Sequence, residues 1–272
     1  MLPKILFRAV VAVVLSAQAG ISQQADIPVK CGHAPDVAVP SPPPPARQTA
    51  AGAEAIVKAG RAEAGFLSMD EPVNFSITRY KISEYADCFG TFGCYWTDLA
   101  AQTQRAQEEL KRLLATSTKP PDELAIVLDI DETSLSSYCE EKREGFGYVD
   151  SQYQAWIVSS EASIPIPGTL ALFNQARAAK VNVFFITGRP HEQTDATARN
   201  LKAAGYKDWQ GLVLRSEEER TEDTTKYKAK EREKIAKKYH IIMNVGDQWS
   251  DLNGAPKAEI SVKLPNPFYF LP

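Results

Sequence analysis

Histidine is scarce in this chain. Only His33, His191 and His240 occur among 272 residues, too few for a binuclear metal centre built from imidazoles. No Cys-x-x-Cys pair offers the close ligand spacing of a structural zinc site. Positive charge is not in excess either: 31 Lys and Arg stand against 34 Asp and Glu, a net of −3. No stretch gathers enough basic residues to track a phosphate backbone, which excludes a nucleic-acid polymer as the partner and leaves a small molecule. Long apolar runs are also missing. The run from Ala9 to Leu15 falls well short of the roughly 20 residues that a membrane span needs, and no later segment does better. The 44% hydrophobic content is ordinary for a globular protein and gives no class by itself.

What that short run does suggest is a leader. Lys4 and Arg8 precede or open it, and Ala17 and Ala19 supply a small-x-small cleavage site, so residues 1–19 are predicted to be a signal peptide and the mature chain to be secreted or periplasmic. Its removal leaves 29 basic against 34 acidic residues, a net of −5. A lipid anchor is excluded because Cys31 follows Pro28, Val29 and Lys30 instead of small apolar residues. Cys31, Cys88, Cys94 and Cys139 are an even number in an exported chain, permitting two disulfides in any of three connectivities. Cys88 and Cys94 bracket a Gly-containing loop, CFGTFGC, and are the first pair expected; Cys31 with Cys139 then follows by elimination.

Residues 20–55 include SPPPP and many small residues, a composition that cannot bury a core, and read as a disordered Pro-rich tail. The folded domain is expected over 56–272. Its first part, 56–118, reads as a helical extension, with Ile82, Tyr85, Leu99, Leu110, Leu113 and Leu114 among polar residues. After Pro120 and Pro121 short apolar runs alternate with amphipathic stretches, the sequence form of an α/β fold with a parallel sheet flanked by helices. Strands are predicted over 124–130, 181–186, 211–214, 241–245 and 260–262, and helices over about 168–179, 191–204, 226–239 and 250–254.

Acidic residues stand where two of these strands end. AIVLDIDET runs an apolar strand directly into Asp129 and Asp131, and ligands of doubly wound sheets bind beyond the carboxyl ends of the strands. One carboxylate there can attack phosphorus while a second, two residues on, protonates the leaving oxygen. VFFITGR ends in Thr187, whose hydroxyl, with the following N–H of Gly188, can hold a phosphoryl oxygen at a helix start. Arg189 either touches substrate or caps its own loop. IIMNVGDQWSDL supplies Asp247 and Asp251, oxygen donors of the kind Mg²⁺ takes alongside water and phosphate. The lysines of TTKYKAKER can place a compact positive charge against the same group.

DIDET, ITGR, a lysine before the last helices and GDQWSD occur in the order of the four motifs of the haloacid dehalogenase (HAD) superfamily. More narrowly, the chain resembles its acid phosphatase branch, which includes plant vegetative storage proteins and bacterial secreted, class B-like and lipoprotein acid phosphatases. SEYADC, IPIPGTLALFNQA, YKAKER and GDQWSDL extend that likeness over roughly residues 75–265. The resemblance implies a Rossmann-like HAD fold and a Mg²⁺-dependent acid phosphatase acting on phosphate monoesters. By it Asp129 is the nucleophile and Asp131 the acid and base, Thr187 holds phosphate and Lys228 stabilises its charge; Gly188 and Arg189 are further substrate-binding candidates. Asp129, Asp247 and the backbone carbonyl of Asp131 would ligate the metal, with Asp251 supporting it, while Lys226 competes in sequence with Lys228. It also implies that residues 134–164, with Tyr138, Phe146, Tyr148, Tyr153 and Trp156, form a small cap insert whose aromatics either make its core or stack on a leaving group. Two other readings keep the same scaffold: an inactive binding or storage protein, and a phosphotransferase to alcohol acceptors.

Overall fold

A computed structural model describes residues 27–29, 31, 49–62, 72–89 and 93–271. The predicted signal peptide and the SPPPP stretch lie outside these residues. Helices α1 (Ala50–Ala62), α2 (Phe75–Ala86) and α3 (Tyr95–Thr116) precede strand β1 (Leu124–Leu128). Then come α4 (Tyr138–Arg143), α5 (Asp150–Ile157), α6 (Pro167–Ala178), β2 (Asn182–Pro190), α7 (Thr194–Ala203) and β3 (Gly211–Arg215). The order closes with α8 (Thr224–Ala236), β4 (His240–Gly246), α9 (Trp249–Leu252) and β5 (Ile260–Lys263).

The five strands form one parallel sheet in the order β3-β2-β1-β4-β5. β1, LAIVL, is buried along its whole length, as a central parallel strand covered on both faces must be. Alternation divides its side chains. Leu124, Ile126 and Leu128 join the larger core with Leu110 of α3 and Leu172 and Phe173 of α6, while Ala125 and Val127 meet Tyr227 and Ile235 of α8 on the other face. Because β1 is central, the turn after it opens between β2 and β4, and the residues that follow all three strands converge there.

Parts of the stretch read as a tail are built into the fold, which corrects the 20–55 boundary. Ala50–Glu54 open the alanine-rich α1, where Thr49 Oγ1 accepts the Gly52 N–H at 3.0 Å and the buried Glu84 carboxylate accepts the Ala50 N–H. Ile27 and Val29 pack on the main core, and Cys31 is joined to Cys139. The other disulfide, Cys88 to Cys94, closes the loop between α2 and α3.

A second correction concerns β2. It runs to Pro190 instead of stopping at Ile186, because Pro190 resumes the pairing with Arg215 of β3 after a register shift. A 3-10 turn at His191–Gln193 intervenes before α7, so Thr187 lies within the strand and not at a helix start. Residues 134–164 leave and rejoin the sheet layer at one place: Leu135 bridges Pro165, Ser136 N–H donates to Ile164 O at 2.8 Å and Ile166 N–H to Ser134 O at 3.0 Å.

Candidate active site

Asp129, Asp247 and Asp251 are buried, and one carboxylate oxygen from each lies within 4.8 Å of the others. Lys228, on α8, reaches between them: its Nζ donates to Asp129 Oδ1 and, at 2.5 Å, to Asp251 Oδ1. Lys226, on the same helix, is exposed, so the geometry brings Lys228 and not Lys226 to the cluster. Burial works against the charge on Lys228, but the two carboxylates outweigh it and hold its pKa above the usual lysine value. For Asp129 the balance is reversed: desolvation, added to by Asp251 and Asp247, drives its pKa well above the carboxylate range despite Lys228. Asp247 is pushed up to about 6 by burial and by Asp251, with the donors Asn266 and Gln248 pulling the other way.

With all three buried carboxylates ionised, the single ammonium would leave two negative charges uncompensated. Buried charge of that size is costly unless paired, and an all-oxygen set of carboxylates is what a hard divalent cation such as Mg²⁺ takes. The residues therefore fit the ion that the sequence motifs imply. The Asp131 side chain is not in the cluster. Both of its oxygens accept from Arg189, Oδ2 from Nε at 3.0 Å and Oδ1 from Nη2 at 2.7 Å, so any part it takes in metal binding falls to its backbone carbonyl.

Local sequence explains the approach of these groups. Gly246 lies directly before Asp247, and a Cβ there would collide with the Asp251 side chain; only glycine lets the end of β4 pass so close to α9. Asp251 Oδ2 in turn accepts the Gln248 N–H at 2.8 Å, closing a capping box at the start of α9. The other end of this short helix is held by Arg232, one turn beyond Lys228 on α8. Its Nη1 donates to Asp251 O at 2.6 Å and its Nη2 to Asn253 O. Asn244 Nδ2 donates to the same Asp251 carbonyl at 2.9 Å.

Thr187 is fully buried, and its Oγ1 accepts the Arg189 N–H at 3.1 Å while Tyr227 OH donates to its carbonyl at 3.1 Å. Gly188 is open to the cavity and Arg189 is buried beside it. The Arg189 Nη1 donates to Thr197 Oγ1 of α7 at 3.2 Å, so the guanidinium is fixed from both sides.

Sequence reasoning assigned no role to Glu132, Gln248, Arg232 or Asn266. Glu132 has a left-handed backbone, φ 52°, uncommon for a residue with a side chain. Its Oε1 accepts the Ser137 N–H at 2.6 Å and its Oε2 the Tyr269 hydroxyl at 3.0 Å, which hold the turn after Asp131 in place. Desolvation, with Glu141 and Asp131 adding to it, pushes the Glu132 pKa well up. A signal was present in the DIDET run itself: an acid that faces the core cannot also face the ligand.

The cluster opens into a cavity of about 520 Å³. Asp129, Asp131, Arg189, Lys228 and Asp247 line its floor, and Phe146, Tyr148, Tyr153 and Ile157 of the 134–164 insert face it with Phe268, Tyr269 and Leu271. These aromatics also pack on one another, Phe146 stacked with Phe268 at 5.9 Å and Tyr153 against Tyr148 and Trp156 at 5.6 Å each. The insert's rings thus serve as its core and as the cavity wall together. No helix among the described residues is long and apolar enough to cross a membrane.

A family model described as HAD superfamily, subfamily IIIB (Acid phosphatase) matches residues 54–272. Acid phosphatase 1 of Solanum lycopersicum is 34% identical over 149 residues, 53% of this chain and 58% of that protein. Vegetative storage protein 1 of Arabidopsis thaliana is 33% identical over 150 residues, 54% of this chain and 55% of that protein. The chain thus spans between half and two thirds of the length of these curated relatives. Among solved structures, the class C acid phosphatase from Bacillus anthracis superposes with a TM-score of 0.58 at 23% identity, covering 71% of this chain and 85% of that one. At that identity the likeness speaks for the fold alone.

Proposed function

Since this chain belongs to the HAD superfamily, subfamily IIIB (acid phosphatase), we propose that it hydrolyses phosphate monoesters through a phosphoenzyme formed on Asp129. The observation that carries this reading is the placement of Lys228 between Asp129 and Asp251 at the floor of the cavity.

Asp129 attacks phosphorus, forming the carboxylate oxygen to phosphorus bond as the ester oxygen departs with a proton from Asp131. A water molecule then gives a proton to Asp131 and attacks the same phosphorus, restoring the Asp129 carboxylate and releasing phosphate. Lys228 remains cationic throughout and faces the charge spread over the phosphoryl oxygens. Gly188 leaves backbone open where those oxygens lie, and Arg189 presents its guanidinium beside them. Mg²⁺, held by Asp129, Asp247 and Asp251 with the Asp131 carbonyl, would offset the phosphoryl charge when bound. The apolar wall formed by the insert and by Phe268, Tyr269 and Leu271 receives the alcohol part of the ester. The predicted leader and the two disulfides support a working place outside the cytosol.

The test is phosphate release by the mature protein from p-nitrophenyl phosphate and from sugar and nucleoside monophosphates, with Mg²⁺ and with EDTA, across acidic and neutral pH. Metal-dependent release is the expected result. Folded protein that releases none under any condition would overturn the reading in favour of a binding or storage role; phosphate appearing on an added alcohol would show transfer instead of hydrolysis.

A further inference from the structure

Asn266 lies beyond the four motifs, in the segment that follows β5, yet it touches the metal-binding cluster. Its Nδ2 donates to Asp247 Oδ2 at 2.8 Å. The orientation of the amide is fixed by its other end, where Oδ1 accepts the Phe268 N–H at 2.8 Å and the Tyr269 N–H at 3.4 Å. With the oxygen so occupied, the amino group must face Asp247.

Asp247 receives two further donors. Thr133 Oγ1 donates to its Oδ1 at 3.0 Å, and Gln248 Nε2 donates to its Oδ2 at 2.7 Å. Gln248 grips the same segment as Asn266, donating to Tyr269 O at 3.3 Å and accepting the Leu271 N–H at 3.1 Å. The neutral donors on Oδ2 are thus tied to one frame, the segment that holds Tyr269 and Leu271, and together with Thr133 on Oδ1 they set the carboxylate's rotation.

We propose that Asn266 is a positioning residue that fixes the Asp247 carboxylate for a divalent cation, with residues 266–271 acting as the outer support of the metal site. The proposal rests on the metal reading given above. Mg²⁺ demands near-octahedral geometry and tolerates a swinging ligand poorly, whereas Ca²⁺ accepts looser arrangements. Groups that orient a ligand typically contribute about 10- to 100-fold in metal affinity.

The experiment is calorimetric titration of the full mature chain, parent, Asn266→Ala and Asn266→Ser, with MgCl₂ and with CaCl₂. Serine's hydroxyl can still accept the Phe268 N–H and keep the turn, but it is too short to reach Asp247. Both variants should weaken Mg²⁺ binding by about 10- to 100-fold and Ca²⁺ binding by less. If Asn266→Ser binds Mg²⁺ within about twofold of the parent, the residue serves only the turn and the proposal is overturned. If Asn266→Ala does not fold, Asn266→Ser alone decides between these results. A parent that binds neither ion would overturn the metal reading itself, and the role of Asn266 with it.

Discussion

Arg189 grips both carboxylate oxygens of Asp131, and its own backbone N–H rests on Thr187 two residues earlier. In the proposed reaction Asp131 protonates the leaving group, which needs one of its oxygens turned to the ester, so the guanidinium would have to loosen its hold there. Arg189→Lys retains the charge but loses the planar fork. It should lower kcat for an alkyl phosphate by about 10- to 100-fold, and for p-nitrophenyl phosphate by much less, because nitrophenolate departs without a proton. Equal losses on both substrates, measured by steady-state kinetics, would show that Arg189 acts on the phosphoryl group alone.

Asp129→Asn removes the proposed nucleophile while leaving an oxygen that can still accept from Lys228. Turnover should fall by on the order of 10³-fold or more, with the far-ultraviolet circular dichroism of the parent retained. Activity persisting in a preparation free of parent enzyme would rule out the phosphoenzyme.

Glu141, on α4, is buried beside Glu144 and Glu140, and desolvation followed by those two charges pushes its pKa from the ordinary 4.5 to about 7. The folded value lies above the unfolded one, so the native state holds the extra proton and stability falls as pH rises from about 4.5 through 7. Glu141→Gln should therefore match the parent below that window and exceed it by roughly 2–4 kcal/mol above it. Urea unfolding at pH 4.5 and at pH 8 measures the difference; equal gains at both would remove the charge argument.

The two disulfides close loops of very different length, with 108 residues separating Cys31 from Cys139 and 6 separating Cys88 from Cys94. Chain entropy alone assigns about 5 kcal/mol to the first and about 2 kcal/mol to the second. Paired Cys→Ser variants should reproduce that order in their unfolding midpoints, and the reverse order would mean that Cys88–Cys94 holds α2 against α3 more than it limits the unfolded chain.

The acidic cluster was legible in part because Asp129 and Asp247 each follow an apolar strand directly. LAIVL runs into Asp129, and IIMNVG into Asp247, and neither needs a distant partner to be noticed. The lysine was ambiguous in sequence because α8 is basic on several faces; burial distinguishes Lys228 from Lys226. Asn266, Arg232 and Glu132 were not legible. Their partners lie 19 residues or more away in each decisive contact, and no periodicity records a hydrogen bond of that span. Within 20–55 the Cys31–Cys139 pairing was expected, but the packing of Ile27 and Val29 on the core and the start of α1 at Ala50 were not, since composition reports only what near neighbours can do.

Leu135 and Pro165 meet in a backbone bridge, flanked by the bonds of Ser136 to Ile164 and Ile166 to Ser134. The two ends of the intervening stretch are thus stitched together independently of what it contains, close behind Asp131 and just ahead of α6. Such a neck is a natural graft point: the aromatic lobe it carries can be exchanged for another, and the cavity wall reshaped, while the strand ends that carry Asp129 and Asp247 keep their register.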